Sequence, residues 1–273
     1  LVGIDTMAVS DYPLQSDDAS TNGLAAPALV SSTSNFSEVT HAYAGDLQGN
    51  LSRFALSSRT TSLLFNTGAN KPITVEPDIA RAPAPDLPGV MIYVGTGQLL
   101  DDADADTTST QSVYGIWDET FSGTVTDSQL ITQTLIQETG TWGEIERTVR
   151  ITPTESTPDW YSTNKNRGWR VDLPRVGERL LGRPQVRANR IQFITTNPTS
   201  DFENMAPGDG SWFNQLSLTS GASLDETQAL YDLDRSGALD DGDAITVEVD
   251  LGDQVVEQAF FPLGLNLGPG NIA

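Results

Sequence analysis

Apolar residues in this chain almost never recur at the three- and four-residue spacing of a helix. They come in short runs rich in β-branched and aromatic residues, cut off every few positions by glycine, proline, asparagine or aspartate. Examples are VMIYV (90–94), SVYGIW (112–117), RTVRIT (147–152), GWRVDL (168–173), RIQFIT (190–195), SWFNQLSL (211–218) and AITVEVDL (244–251). Many short strands with frequent turn signals mean an all-β sandwich, barrel or propeller. One stretch, 129–137 (QLITQTLIQ), fits a helix by periodicity and a strand by its isoleucine and threonine content. A chain of 273 residues can bury a sizeable core, and no long linker divides it, so the expectation is one domain over 1–273.

Weak self-similarity favours one all-β arrangement. Residues 42–56 (AYAGDLQGNLSRFAL) read as strand, glycine-containing turn and second strand ending in an aromatic. Residues 92–97 with 112–118 repeat that theme around an insertion, and 191–218 do so more loosely. A hairpin of this kind cannot bury its own apolar face and must stack on a neighbour, the logic of propeller blades. A β-sandwich is the alternative.

Charge excludes some functions. With 37 acidic against 15 basic residues the formal net charge is −22, and only Lys71 and Lys165 are lysines. That field repels nucleic acid and anionic lipid and attracts divalent cations, and it also suits a protein kept soluble in salty water. No apolar run approaches the length of a membrane helix. Cysteine is absent, so no disulfide framework is available. The opening LVGIDTMAV lacks a basic n-region and reads as a strand, which suggests a fragment or a processed product.

The most specific motif is 232–243 (DLDRSGALDDGD). A hard cation such as calcium takes six to eight oxygens, and alternating ligands on a curling loop deliver them. Asp232, Asp234 and Ser236 occupy positions 1, 3 and 5; Gly237 at position 6 permits the reversal; the carbonyl of Ala238 falls at position 7. Asp240 supplies position 9 and Asp243 closes the site at position 12, where aspartate reaches less far than the usual glutamate. Leu239 at position 8 is expected to anchor the loop to the core. An EF-hand would continue as a helix, but 244–251 alternates as a strand, so the loop is grafted between β elements. A second acidic run, 101–106 (DDADAD), has neither glycine nor apolar anchor and reads as a solvated loop.

Catalytic motifs are missing. The single histidine, His41, sits in an expected strand and reads as structural. No G-x-S-x-G or H-E-x-x-H pattern occurs, and neither GTG (95–97) nor GDG (208–210) precedes a helix that could cradle phosphate. Most of the tryptophans are expected in the core. Trp142 and the pair Trp160 and Tyr161 lie in loop-like contexts and are expected to be exposed.

Several segments resemble consecutive motifs of the PilY1 family's C-terminal domain. They are GLAAPALV (23–30), YAGDLQGNLSRF (43–54), KPITVEPDIAR (71–81), IYVGTGQLLDD (92–102), TQSVYGIWDE (110–119), RGWRVDLPRVGERLLGRPQVR (167–187) and YDLDRSGALDDGD (231–243). The most specific are YGIWD and GWxxDLPxxGER. The resemblance implies a modified β-propeller, complete or partial, of several four-stranded blades with the calcium loop inserted between strands. It also implies an extracellular place at the tip of a type IV pilus, contact with minor pilins, and roles in adhesion, pilus extension and calcium-dependent control of retraction. Surface adhesion would pass through a region not present in this sequence. The family's calcium ligands carry over onto Asp232, Asp234, Ser236, Asp240 and Asp243 with the backbone of Ala238. A second calcium loop found in many members falls here on 31–42 (SSTSNFSEVTHA), where Asn35 and Glu38 are the only strong side-chain donors, so no ion is expected there. Two alternatives stand beside this reading: a quinoprotein-like propeller enzyme, and a secreted β module in which calcium only rigidifies a loop.

Overall fold

The structure is a computed structural model and describes residues 22–32, 38–198, 209–224, 229–250, 252 and 254–268. Within these, strands dominate. The first four are β1 (Ala28–Ser31), β2 (Val39–Gly45), β3 (Asn50–Ala55) and β4 (Thr60–Asn66). Next come β5 (Asp78–Arg81), β6 (Val90–Gly95), β7 (Ser112–Asp118) and β8 (Leu130–Gln133). They are followed by β9 (Ile136–Trp142), β10 (Ile145–Ile151), β11 (Gly168–Asp172), β12 (Arg179–Leu180) and β13 (Gln185–Arg187). The last are β14 (Arg190–Thr196), β15 (Ser211–Ser217), β16 (Ile245–Asp250), β17 (Val255–Phe260) and β18 (Gly264–Gly268). The one α-helical turn among the described residues is α1 (Asp102–Ala105). The ambiguous stretch 129–137 resolves as strand, with β8 and the start of β9 separated by Thr134 and Leu135.

Three stacked sheets and one separate hairpin result. The first sheet is a four-stranded meander, β1-β2-β3-β4, in which the hairpin expected over 42–56 forms β2 and β3. The second runs β5-β6-β7-β11-β8, antiparallel except for the β11–β8 pair. The third runs β12-β14-β15-β18-β10-β9, with β13 also on β14, so the blades differ in size. Among the described residues, strands β16 and β17 pair only with each other.

The second sheet is the middle layer, and its sequence shows why. Strand residues point alternately to opposite faces. Met91, Tyr93, Val113 and Trp117 enter one apolar cluster with Leu180, Ile191, Phe193 and Leu216 of the third sheet. Their neighbours Ile92, Val94, Tyr114 and Ile116 enter another with Tyr43, Leu51, Leu64 and Phe65 of the first. Buried on both faces, β6 and β7 read as near-continuous apolar runs.

The motif residues lie at the joints between these layers. Gly115 stands opposite Trp169 in the β7–β11 register, and a side chain there would come within 2.5 Å of the indole. Gly221, at φ +70, approaches the same ring within 2.5 Å of where its own Cβ would lie. Trp169 is thus clasped between two glycines, with its Nε1 donating to the carbonyl of Leu218 at 2.9 Å. Asp118 accepts from Arg53 Nη1 at 2.6 Å and from the Tyr43 hydroxyl at 2.8 Å, tying the middle sheet to the first. Glu178 holds Arg150 through two bonds of 2.7 and 2.6 Å, and Arg150 lies 3.8 Å over the Trp212 ring. Arg179 donates to the carbonyls of Gly177, Gln98, Asp104 and Thr107, fastening the acidic loop to the sheet.

Candidate cation site

The connection from Tyr231 to β16 forms a tight loop of Asx-type turns ending in one 3₁₀ turn, Asp241–Asp243. Its short polar side chains bond their own backbone, which favours turns over helix or sheet. Asp234 Oδ1 accepts from Ser236 N at 2.8 Å, and Asp232 Oδ2 from Gly237 N at 3.0 Å. Gly237 turns the chain at φ +83. These bonds aim the first carboxylates inward.

Asp243 closes the loop. Its side chain is fully buried; Oδ1 accepts from Leu233 N at 2.5 Å and Oδ2 from Asp240 N at 3.1 Å. Asp232, Asp234 and Asp243 each offer a carboxylate oxygen, and the three oxygens lie within 4.8 Å of one another. Oxygens held about 2.4 Å from a shared ion can be at most about 4.8 Å apart, so the spacing fits a single cation. Three carboxylates this close repel one another unless a positive charge sits between them. The all-oxygen donor set suits a hard cation. Donated bonds, first from the Ser236 backbone, hold the Asp234 carboxyl below the usual carboxylate range, so it is ionised at neutral pH.

The other expected ligands are placed differently. Ser236 Oγ accepts from Ala238 N at 3.3 Å, and both residues are exposed. Asp240 is outside the three-carboxylate group and caps the 3₁₀ turn, accepting from Gly242 N at 2.8 Å. Leu239 does not anchor the loop: it is 56% exposed. The anchors are Leu233 and Ile245, both buried against Trp142, Val149 and Ile151. The position-eight rule presumes flanking helices, and here the exit is a strand whose first residue turns inward.

Other expectations resolve beside this site. In the run 101–106, Asp104 is buried rather than solvated; its carboxylate accepts from Leu100 N at 2.6 Å, Asp101 N at 3.2 Å and Gln98 Nε2 at 2.5 Å. Its carboxylates do not converge as those of 232–243 do. Trp142 and Trp160 are buried, contrary to their loop-like context. Trp142 Nε1 donates to Ala244 O at 3.2 Å, and Trp160 sits edge-on to Trp117 with centroids 5.7 Å apart. Tyr161 is exposed as expected. His41 lies in β2 with its ring stacked on Phe121, centroids 4.5 Å apart, which accords with a structural role. Asn35 lies outside the described residues, and Glu38 directly precedes β2. No helix of the described residues is long and apolar enough to cross a membrane.

Comparison with known proteins completes the picture. Residues 58–141 match the family model of the PilY1 β-propeller domain. The type IV pilus biogenesis factor PilY1 of Pseudomonas aeruginosa strain UCBPP-PA14 is 29% identical over an alignment covering 86% of this chain and 24% of that protein. The PilY1 homologue of Xylella fastidiosa strain Temecula1 is 27% identical over 66% of this chain. The chain therefore spans about a quarter of the length of the first of these relatives. The crystal structure of the Pseudomonas aeruginosa PilY1 C-terminal domain superposes with a TM-score of 0.75 at 23% identity, covering 98% of this chain and 60% of that one. The chain is thus similar to PilY1 proteins in sequence, most specifically over residues 58–141, and shares the fold of the Pseudomonas aeruginosa PilY1 C-terminal domain.

Proposed function

We propose that this domain is a calcium-binding module of a type IV pilus tip-associated protein, acting in pilus assembly, in calcium-dependent control of extension and retraction, and in surface adhesion. The observation that carries the calcium reading is the convergence of Asp232, Asp234 and Asp243 at EF-hand spacing in a loop between β elements. Ser236, Asp240 and the Ala238 carbonyl complete the proposed ligand set as the loop tightens. Calcium, when bound, supplies the divalent charge that the three carboxylates lack. The protein's own residues do the rest: Gly237 reverses the chain, Asp243 bridges the two ends of the loop, and Leu233 and Ile245 fix it to the core.

The pilus reading is supported by relatives named for type IV pilus biogenesis, and it places the domain outside the cell at the filament tip, against minor pilins. The role is binding, without a catalytic step. Pull-down with minor pilins separates this from a purely structural calcium-stabilised module, and an absorbance spectrum after adding a quinone cofactor separates it from a quinoprotein-like enzyme. Isothermal titration tests the metal: one saturable calcium site at or below millimolar concentration is expected, and its absence refutes the assignment.

A further inference from the structure

Hairpin β16–β17 has no sheet to belong to. Its strands pair from Ile245–Phe260 to Asp250–Val255 and with nothing else among the described residues. A lone two-stranded hairpin is marginally stable in water, so its order must come from docking. The dock is a small apolar cluster on β9–β10, to which Ile245, Val247 and Phe260 contribute from the hairpin and Leu233 from the loop.

The loop and the hairpin share their attachments. Leu233 lies between the ligands Asp232 and Asp234, and its carbonyl accepts from Arg147 Nε of β10 at 3.2 Å. Ala244, between Asp243 and β16, gives its carbonyl to Trp142 of β9. Asp243 joins the two points directly by accepting from Leu233 N. Spreading the loop therefore withdraws Leu233 and Ile245 from the cluster together and breaks both carbonyl contacts.

We propose that loop 232–243 is a latch for hairpin β16–β17: a cation gathered by Asp232, Asp234 and Asp243 holds the hairpin docked on β9–β10, and its loss releases the hairpin as a unit. This rests on calcium being the occupant and adds to it a defined structural consequence. Calcium level would thereby control whether the apolar face of this ribbon, opposite the already exposed Glu248, Asp250 and Glu257, is presented to solvent.

Amide hydrogen exchange on the whole 273-residue chain tests this, with calcium occupancy measured by titration on the same sample. If the hairpin opens only when the latch opens, calcium at a hundredfold excess over Kd slows exchange across 245–260 by about 100-fold. Exchange in the β3–β4 pair of the first sheet, which contributes no residue to that cluster, should change far less. Asp232→Asn abolishes the response, and chelation of the unmutated protein gives the same comparison if that variant folds poorly. Saturable binding with unchanged hairpin exchange overturns the latch and leaves the calcium site standing. No saturable binding overturns both.

Discussion

Replacing Asp118 by asparagine removes one charge from the joint between the first and middle sheets and almost no volume. Both members of the pair are buried, Arg53 at 2% exposure and Asp118 at 0%. The joint converges on one oxygen: Asp118 Oδ2 takes both Arg53 Nη1 and the Tyr43 hydroxyl, while Oδ1 has no hydrogen-bond partner. Burial, then the Asp118 charge, pushes the Tyr43 hydroxyl far above its ordinary pKa, so it stays a donor. In Asp118→Asn the guanidinium keeps only Ser62 Oγ at 3.0 Å and Gly123 O at 3.2 Å, both neutral. Leaving a buried charge without its counter-ion costs about 3–5 kcal/mol, and the asparagine carbonyl recovers a little, so about 3 kcal/mol is expected. For a chain this long that lowers Tm by roughly 6–12 °C. Urea unfolding should show a lower midpoint with an unchanged m-value. The double variant Arg53→Met with Asp118→Leu should be more stable than Asp118→Leu alone, because it leaves no orphaned charge. A loss under about 1 kcal/mol for Asp118→Asn, or a double variant worse than the sum of its singles, would refute the electrostatic account of this joint.

Four further outcomes are expected. Calcium at a hundredfold excess over Kd should stabilise the chain by about 2.7 kcal/mol, and Asp232→Ala should abolish the accompanying rise in Tm. Leu233→Ala should cost about 2–5 kcal/mol by calorimetry or denaturant titration, while Leu239→Ala stays within about 0.5 kcal/mol; equal effects would contradict the assignment of the anchor. Gly115→Ala forces a methyl against the Trp169 indole and should destabilise by about 1–3 kcal/mol, with a change in near-ultraviolet circular dichroism from that ring. Burial, and next the nearby Arg53, lowers the His41 pKa, so below about pH 6.5 the unfolded chain binds a proton that the folded chain does not. Stability contributed by this group therefore falls on acidification, and His41→Phe should flatten the dependence of Tm on pH between about 7 and 5.

Local chemistry was legible in the sequence, and long-range partnership was not. The strands followed from β-branched alternation, and the loop from ligand spacing around a glycine. The exit strand after 243 was readable because Ile245, Val247 and Val249 repeat with a period of two. The anchor was misplaced because Leu239 looks like its helical counterpart, whereas the real anchors are recognisable only once the strand and β9–β10 are in place. Trp142 looked like a loop residue between Gly140 and Gly143. It ends β9 instead, before a tight turn, and its buried ring finds its acceptor 102 residues away at Ala244. Trp160 was hidden for the same reason: it lies in the loop between β10 and β11, and its partner Trp117 belongs to the distant β7. Asp104 was misread because an aspartate bonded by its own helical turn has the same composition as one facing water.

The third sheet also dictates an order of events during folding. Strand β18 lies between β15 and β10, so β9–β10 joins that sheet only through a strand that follows roughly 110 residues later in the chain. Until residues 264–268 have been synthesised and brought into place, β10 has an open edge and its hairpin partner alone. Closure of so long an interval is entropically slow, and the waiting edge invites the wrong strand. The acidic loop at 232–243 is made just before that closing strand, so a cation captured there would shorten the search at the step that needs it most.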